Sequence, residues 1–201
     1  MHKFYYLLSA FLILSCGTKP EPLQPLAEEM STNRLQDSLA FELCKMFGGD
    51  QIIREPFISG GKVNWDYIHQ LDTLSFNKAI SFIKNNGYST ASLVGNENYQ
   101  HECVSASLNA ILLHSPHLIV NNRQHFELLL NEADKGNLDR EIFAAILDKG
   151  YLMQKKYKYV IYGTKAFGMP CRDIKDRTNT ARAEIGLPPL ADSLFVDCSA
   201  K

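Results

Sequence analysis

The chain lacks net charge. Its 21 basic residues stand against 22 acidic ones, for a formal charge of −1. No broad field of either sign is present to gather nucleic acid or anionic lipid. Beyond the N-terminal leader it also lacks any run long and apolar enough to span a bilayer as a helix. Internal repeats and low-complexity tracts are absent, which excludes solenoids and propellers. Familiar catalytic signatures are missing too. No G-x-S-x-G elbow occurs. His101-Glu102 starts like a zinc-protease helix, but Ser105 occupies the place of the second histidine. His114 and His117 are separated by Pro116, which breaks the helical face that shared metal ligation would need. These spacings argue against a metal site, and nothing in them calls for a cofactor.

What the chain does have is a normal globular composition, 45% hydrophobic over 201 residues, enough for one domain with a proper core. Its first residues read as a targeting segment. Met1-His2-Lys3 supplies a short positive region, and Phe4 to Leu14 supplies an apolar run of signal-peptide length. The run ends Ile13-Leu14-Ser15-Cys16-Gly17, which resembles the lipobox of bacterial lipoproteins. That resemblance implies cleavage before Cys16 and lipidation of Cys16, so that acyl chains anchor the protein without a transmembrane helix. Residues 1–15 are then a signal peptide. Residues 16–30, with Pro20, Pro22 and Pro25, form an extended tether reaching about 40 Å. Residues 31–201 form a single domain. The expected address is the cell envelope, anchored at the outer membrane and facing the periplasm or the surface.

Disulfides persist in such a compartment. Apart from Cys16 there are four cysteines, Cys44, Cys103, Cys171 and Cys198, and two bridges, one or none are all open. Cys44 and Cys103 sit in apolar helical patterns and read as buried free thiols. Cys171 and Cys198 lie in a loop-rich region and are the first choice for a bond.

Hydrophobic periodicity points to a mainly α fold, a compact bundle of about six or seven helices with one short β-hairpin near the C-terminal third. Leu35, Leu39, Leu43 and Met46 form the stripe of a first helix ended by Gly48-Gly49. Asn64 caps a helix with Trp65, Ile68 and Leu71, and Asp72 or Ser75 caps the next, stopped by Gly87. A central helix runs from Asn96 or Asn98 to His114. Asn121 or Asn122 caps a helix ended by Gly136, and Asp139 caps one ended by Gly150. Tyr151 to Met153 and Tyr157 to Tyr162 make the hairpin. A last amphipathic segment covers Asp176 to Ile185. The basic and aromatic run Lys155-Lys156-Tyr157-Lys158-Tyr159 reads as a solvated strand edge rather than a nucleic-acid surface.

Several short islands occur in a fixed order: Asp50-Gln51-x-x-Arg54, Gly87-Tyr88, Val94-Gly95, a helix ending in His114, Asp148-Lys149, Tyr162-Gly163-Thr164-Lys165, then Arg182 with Gly186-Leu187-Pro188-Pro189. From about Leu35 to Leu190 the chain resembles an uncharacterised bacterial domain family of unknown function that carries DQxxR, QH, Asp-Arg and YGTQ signatures. The resemblance implies that Asp50, Arg54, His114, Asp148, Tyr162, Thr164 and Lys165 cluster. Leu113, Lys149 and Lys165 depart from the family's Gln, Arg and Gln.

The chemistry of these residues supports two readings. In the first, the domain binds or interacts through a small polar pocket, with Arg54, Lys149, Tyr162, Gly163, Thr164 and Lys165 as ligand-binding residues and an envelope or secreted protein as partner. In the second, it is a small hydrolase-like enzyme in which Asp148, His114 and Asp50 supply acid and base. A third arrangement is purely structural, an internal Asp148–Arg54 ion pair with His114 as a satisfied core residue. Substitutions at the family's islands favour binding over catalysis.

Overall fold

Helix α1, Gln24–Ile52, organises the N-terminal half. The structure is a computed structural model and describes residues 24–62, 64–154 and 159–198. The signal peptide, Cys16 and most of the tether therefore lie outside the described residues. The tether was expected to run to Met30, but the helix already includes Pro25, which the first turn tolerates because its missing N–H has no partner there. Leu35 is exposed, so the buried stripe starts one turn later than expected, with Leu39, Leu43 and Met46. Asp50 continues that register and is fully buried. Gly48-Gly49 does not end the helix. The chain stays helical past it because Asp50 is fixed by tertiary partners, and Arg54 donates to the Asp50 carbonyl that the helix end leaves open.

A single turn, α2 (Glu55–Ile58), leads to α3 (Trp65–Asn86). Asn64 caps α3 by accepting from the Tyr67 amide at 3.1 Å, and Gly87 stops it with φ +91°. Two helices were expected here; there is one, and Asp72 is not a cap. It lies mid-helix between Ile68 and Phe76 on the buried face.

The expected long helix to His114 is broken into α4 (Ala91–Val94), α5 (Asn96–Tyr99), α6 (Glu102–Ser105) and α7 (Ser107–His114). Local hydroxyls account for the break between the last two. Ser105 Oγ donates to the His101 carbonyl at 3.2 Å and Ser107 Oγ to the Val104 carbonyl at 3.0 Å, competing with the helical ladder. Helix α7 is nevertheless central, packed on α1, α3 and α10 (Arg140–Leu152). Ser115-Pro116 stops it, and α8 (His117–Val120) and α9 (Arg123–Asp134) follow. Asn122 and Asp139 cap α9 and α10 as expected.

Gly150 is not a helix stop. It lies inside α10, where a Cβ would meet the Pro116 carbonyl oxygen at 2.8 Å and Val120 Cγ1 at 2.9 Å, so its bareness lets α10 lie against α8. The expected hairpin does not form among the described residues. Tyr151 and Leu152 complete α10, residues 155–158 lie outside the described residues, and Tyr159 to Tyr162 is irregular. The amides that a hairpin ladder would use are taken by Asp148, as shown below. The C-terminal part carries α11 (Lys175–Glu184) and two 3-10 turns, Arg172–Ile174 and Asp192–Leu194. The β-type pairing among the described residues is one isolated parallel bridge, Cys171 to Val196.

Two disulfides are formed, Cys44–Cys103 between α1 and α6, and Cys171–Cys198 beside the β-bridge. The second agrees with the first choice from the sequence. The first corrects the reading of Cys44 and Cys103 as free thiols: their apolar faces are the faces by which α1 and α6 pack on each other. The class is mainly α, with single-turn pieces raising the number of segments above six or seven. Among the described residues, no helix is long and apolar enough to cross a membrane.

Candidate functional site

The nine candidate residues separate into two places. The first is centred on Asp50 at the end of α1. Its buried carboxylate meets His114 Nδ1 at 3.0 and 2.9 Å, Gln51 Nε2 at 2.9 Å and Arg54 Nη1 at 3.2 Å. Arg54, in the turn after α1, also pairs with the Asp72 carboxylate of α3. The expected Asp148–Arg54 pair is absent; Arg54 is held by Asp50 and Asp72 instead. A cavity of about 370 Å³ opens beside this network. Arg54, Asp72, His69, His114 and Lys149 are its polar lining residues, and Ile58, Trp65, Ile68 and Met153 its apolar ones. Ile58, Trp65 and Met153 are well exposed, so the apolar lining reaches solvent at the mouth.

Within this cavity the charged groups differ in their state. Asp50 fixes the imidazole of His114 through Nδ1, while Nε2 has no partner among the described residues. Arg54 is committed to two carboxylates. Lys149 is half-buried, and burial and then the nearby Arg54 charge hold its amine below the usual lysine range, against the pull of Asp72 and Asp50. His117, one turn away on α8, is held low by burial and by His69, and its Nδ1 is buried without a hydrogen-bond partner.

Asp148 belongs to a second place and plays a different part. It faces away from Lys149 along α10 and is fully buried. Its Oδ1 accepts from the amides of Ile161 at 2.8 Å and Tyr162 at 2.7 Å. Its Oδ2 accepts from the Thr164 amide and hydroxyl, both at 3.0 Å. All four lone-pair directions are used, so neither oxygen is open to a substrate. The Tyr162 side chain is buried against Tyr151, with ring centroids 6.3 Å apart, and burial pushes its phenol up. The Tyr162 carbonyl accepts from buried Arg182 at 2.8 Å, which also reaches the Pro188 carbonyl and Glu141. Tyr162 is therefore a core residue and does not present its hydroxyl to a ligand. Gly163 has φ +68°, and a Cβ there would meet Leu190 and Pro170 at 2.6 Å.

Gly163, Thr164 and the exposed Lys165 line a separate cavity of about 590 Å³, with Ile142, Met169, Leu190 and Leu194 among its mainly apolar walls. The polar atoms that Thr164 would offer there are spent on Asp148. Of the candidates, the structure brings together Asp50, Arg54, His114 and Lys149, and it moves Asp148, Tyr162, Gly163, Thr164 and Lys165 elsewhere.

Asp72, His69 and Trp65 were not singled out from the sequence. Asp72 left a signal: it stands four residues from Ile68 and four from Phe76, the place of a core residue on the stripe. Asp50 shows the same mark after Leu43 and Met46. Among the described residues, no group of three or more His, Cys, Asp or Glu side chains is placed to hold a metal ion. No protein-family model matches the chain, and no curated protein or solved structure matches it.

Proposed function

We propose that this is a lipid-anchored protein of the bacterial cell envelope, held at the outer membrane through Cys16. On this reading its helical domain binds a small polar ligand in the cavity between Arg54 and Lys149. The observation that carries the binding reading is the convergence of Arg54, Asp72, His114 and Lys149. They come from four segments of the chain and meet in the lining of one solvent-reachable cavity. A merely structural ion network has no need of a half-buried lysine that makes no direct ion pair among the described residues. The islands behind the family resemblance fit this reading: they contribute Arg54 and His114 to the cavity and Asp50 as the buried carboxylate that holds both, while Asp148 and Thr164 form a separate buried network. An envelope or secreted protein would be the partner if the ligand is part of a larger molecule.

A thermal-shift screen of small polar metabolites tests the reading. Some compounds will raise the melting temperature of the wild type, and Lys149→Met will remove that response. The unliganded variant will melt at or above the wild-type temperature, because the fold disfavours the charged amine. A screen in which no compound separates wild type from Lys149→Met would sink the proposal.

One observation favours a second reading, a small hydrolase-like enzyme. A buried carboxylate holding Nδ1 of a cavity-lining imidazole is the arrangement of a general base with its orienting group. In that case Asp50 orients, His114 moves the proton, and Asp148 takes no part. The reading requires turnover by the wild type that His114→Asn removes.

A further inference from the structure

The two fixed cations of the cavity are in unlike states. Arg54 donates to the Asp50 carbonyl, lies 3.2 Å from the Asp50 carboxylate and pairs with Asp72. Its charge is spent inside the protein. The Lys149 side-chain amine has no hydrogen bond or ion pair among the described residues, although the residue is half-buried in the cavity lining. A desolvated ammonium gains most from a charged oxygen acceptor, since water supplies only part of what it lost. The same cavity is also lined by Ile58, Trp65, Ile68 and Met153, the last one helical turn beyond Lys149.

A ligand that satisfies both kinds of lining carries one anionic group and an apolar body. We propose that the cavity takes a small amphiphilic carboxylate: a single carboxyl group on Lys149, carried by an aromatic or branched aliphatic body that lies on Trp65 and Met153. This rests on the cavity's being the binding site. The charge count selects a monoanion. Asp72 lines the cavity and the buried Asp50 lies behind Arg54 and His114, so a second negative charge on the ligand would face repulsion with only one cation unspent. Inorganic phosphate would leave the apolar lining bare. The volume of about 370 Å³ is near the lower end for small-molecule sites, which suits a body of one ring or a short branched chain.

Isothermal titration of the full chain in detergent tests the assignment with three probes: 3-phenylpropionate, its neutral amide, and inorganic phosphate. The carboxylate will bind at least about tenfold more tightly than the amide, as a hydrogen bond to a charged group predicts. Phosphate will not compete. Lys149→Met will lose that preference, Lys149→Arg will keep part of it, and Trp65→Ala will weaken the carboxylate and the amide alike. Equal affinity for acid and amide, competition by phosphate, or an unaffected Lys149→Met variant would each overturn it. Should the carboxylate fail while other compounds from the thermal-shift screen still distinguish wild type from Lys149→Met, the cavity remains a site and only the ligand class is wrong. If both fail, both proposals fall.

Discussion

Single residues of one type, aspartate, carry most of the polar architecture. Asp50, Asp72 and Asp148 each occupy a core register of a helix, and each is buried. Their fates differ with their neighbours. Asp50 and Asp72 share Arg54, and Asp72 borders the cavity that Arg54 and His114 also line, so they shape a site. Asp148 accepts four hydrogen bonds from Ile161, Tyr162 and Thr164, so it shapes a loop. Asparagine at 148 would turn an NH₂ group toward donors that need an acceptor. We expect Asp148→Asn to lower unfolding stability by about 1–3 kcal/mol, with at least one buried N–H group left unmatched. Denaturant titration checks this. A variant as stable as wild type would mean that the loop holds itself without the carboxylate. The burial of these residues was legible in their spacing. Which partner each finds was not, because Asp50 and His114 are 64 residues apart and only packing brings them within 3 Å.

At the scale of elements, the errors of sequence reading share one cause. Gly48-Gly49 and Gly150 look like helix stops, yet α1 and α10 run through them. A glycine weakens a helix by about 1 kcal/mol, an amount that one set of tertiary contacts overrides. For α1 those contacts are Asp50 with His114 and Arg54; for α10 they are the close approach to α8 that Gly150 permits. Caps were legible for the opposite reason. Asn64, Asn122 and Asp139 bond to amides two or three residues on, so sequence neighbours suffice. The Cys44–Cys103 bond joins elements 59 residues apart and closes a long loop of the unfolded chain. Replacing both cysteines by alanine is expected to cost about 2–4 kcal/mol in denaturant unfolding. A loss below about 1 kcal/mol would show that packing alone holds the single turn α6 on α1.

For the whole molecule, the balance of buried charges sets the response to pH. Glu132 is buried on α9. Burial pushes its carboxyl up, but hydrogen bonds from Lys135 at 2.7 Å, Asn137 at 2.9 Å and the Tyr88 amide at 3.0 Å outweigh it and hold the group below the ordinary glutamate range. A depressed folded value means that Glu132 contributes its full stability above the unfolded value of about 4.3. That contribution is lost as pH falls through the lower, folded value. Asp148 has the opposite sign: burial raises its carboxyl despite four hydrogen bonds, so taking up a proton there offsets part of the loss. Melting temperatures measured from pH 7 to pH 3 should fall for wild type below about pH 4.3, and Glu132→Gln should start lower at pH 7 and fall less steeply. Parallel curves for the two proteins would show that Glu132 has no part in acid unfolding.

The helical class and the caps of Asn64, Asn122 and Asp139 follow from local patterns and composition, because short-range contacts and hydrophobic periodicity are written along the chain itself; whether Cys171 and Cys198 pair was left open by the sequence and decided by the fold. The division of one supposed cluster into a cavity at Lys149 and a buried knot at Asp148 does not follow from local patterns either. Lys149 and Asp148 are neighbours in sequence, but successive residues on a helix point about 100° apart. Only the helices packed around α10 determine that one of them reaches solvent and the other closes a loop.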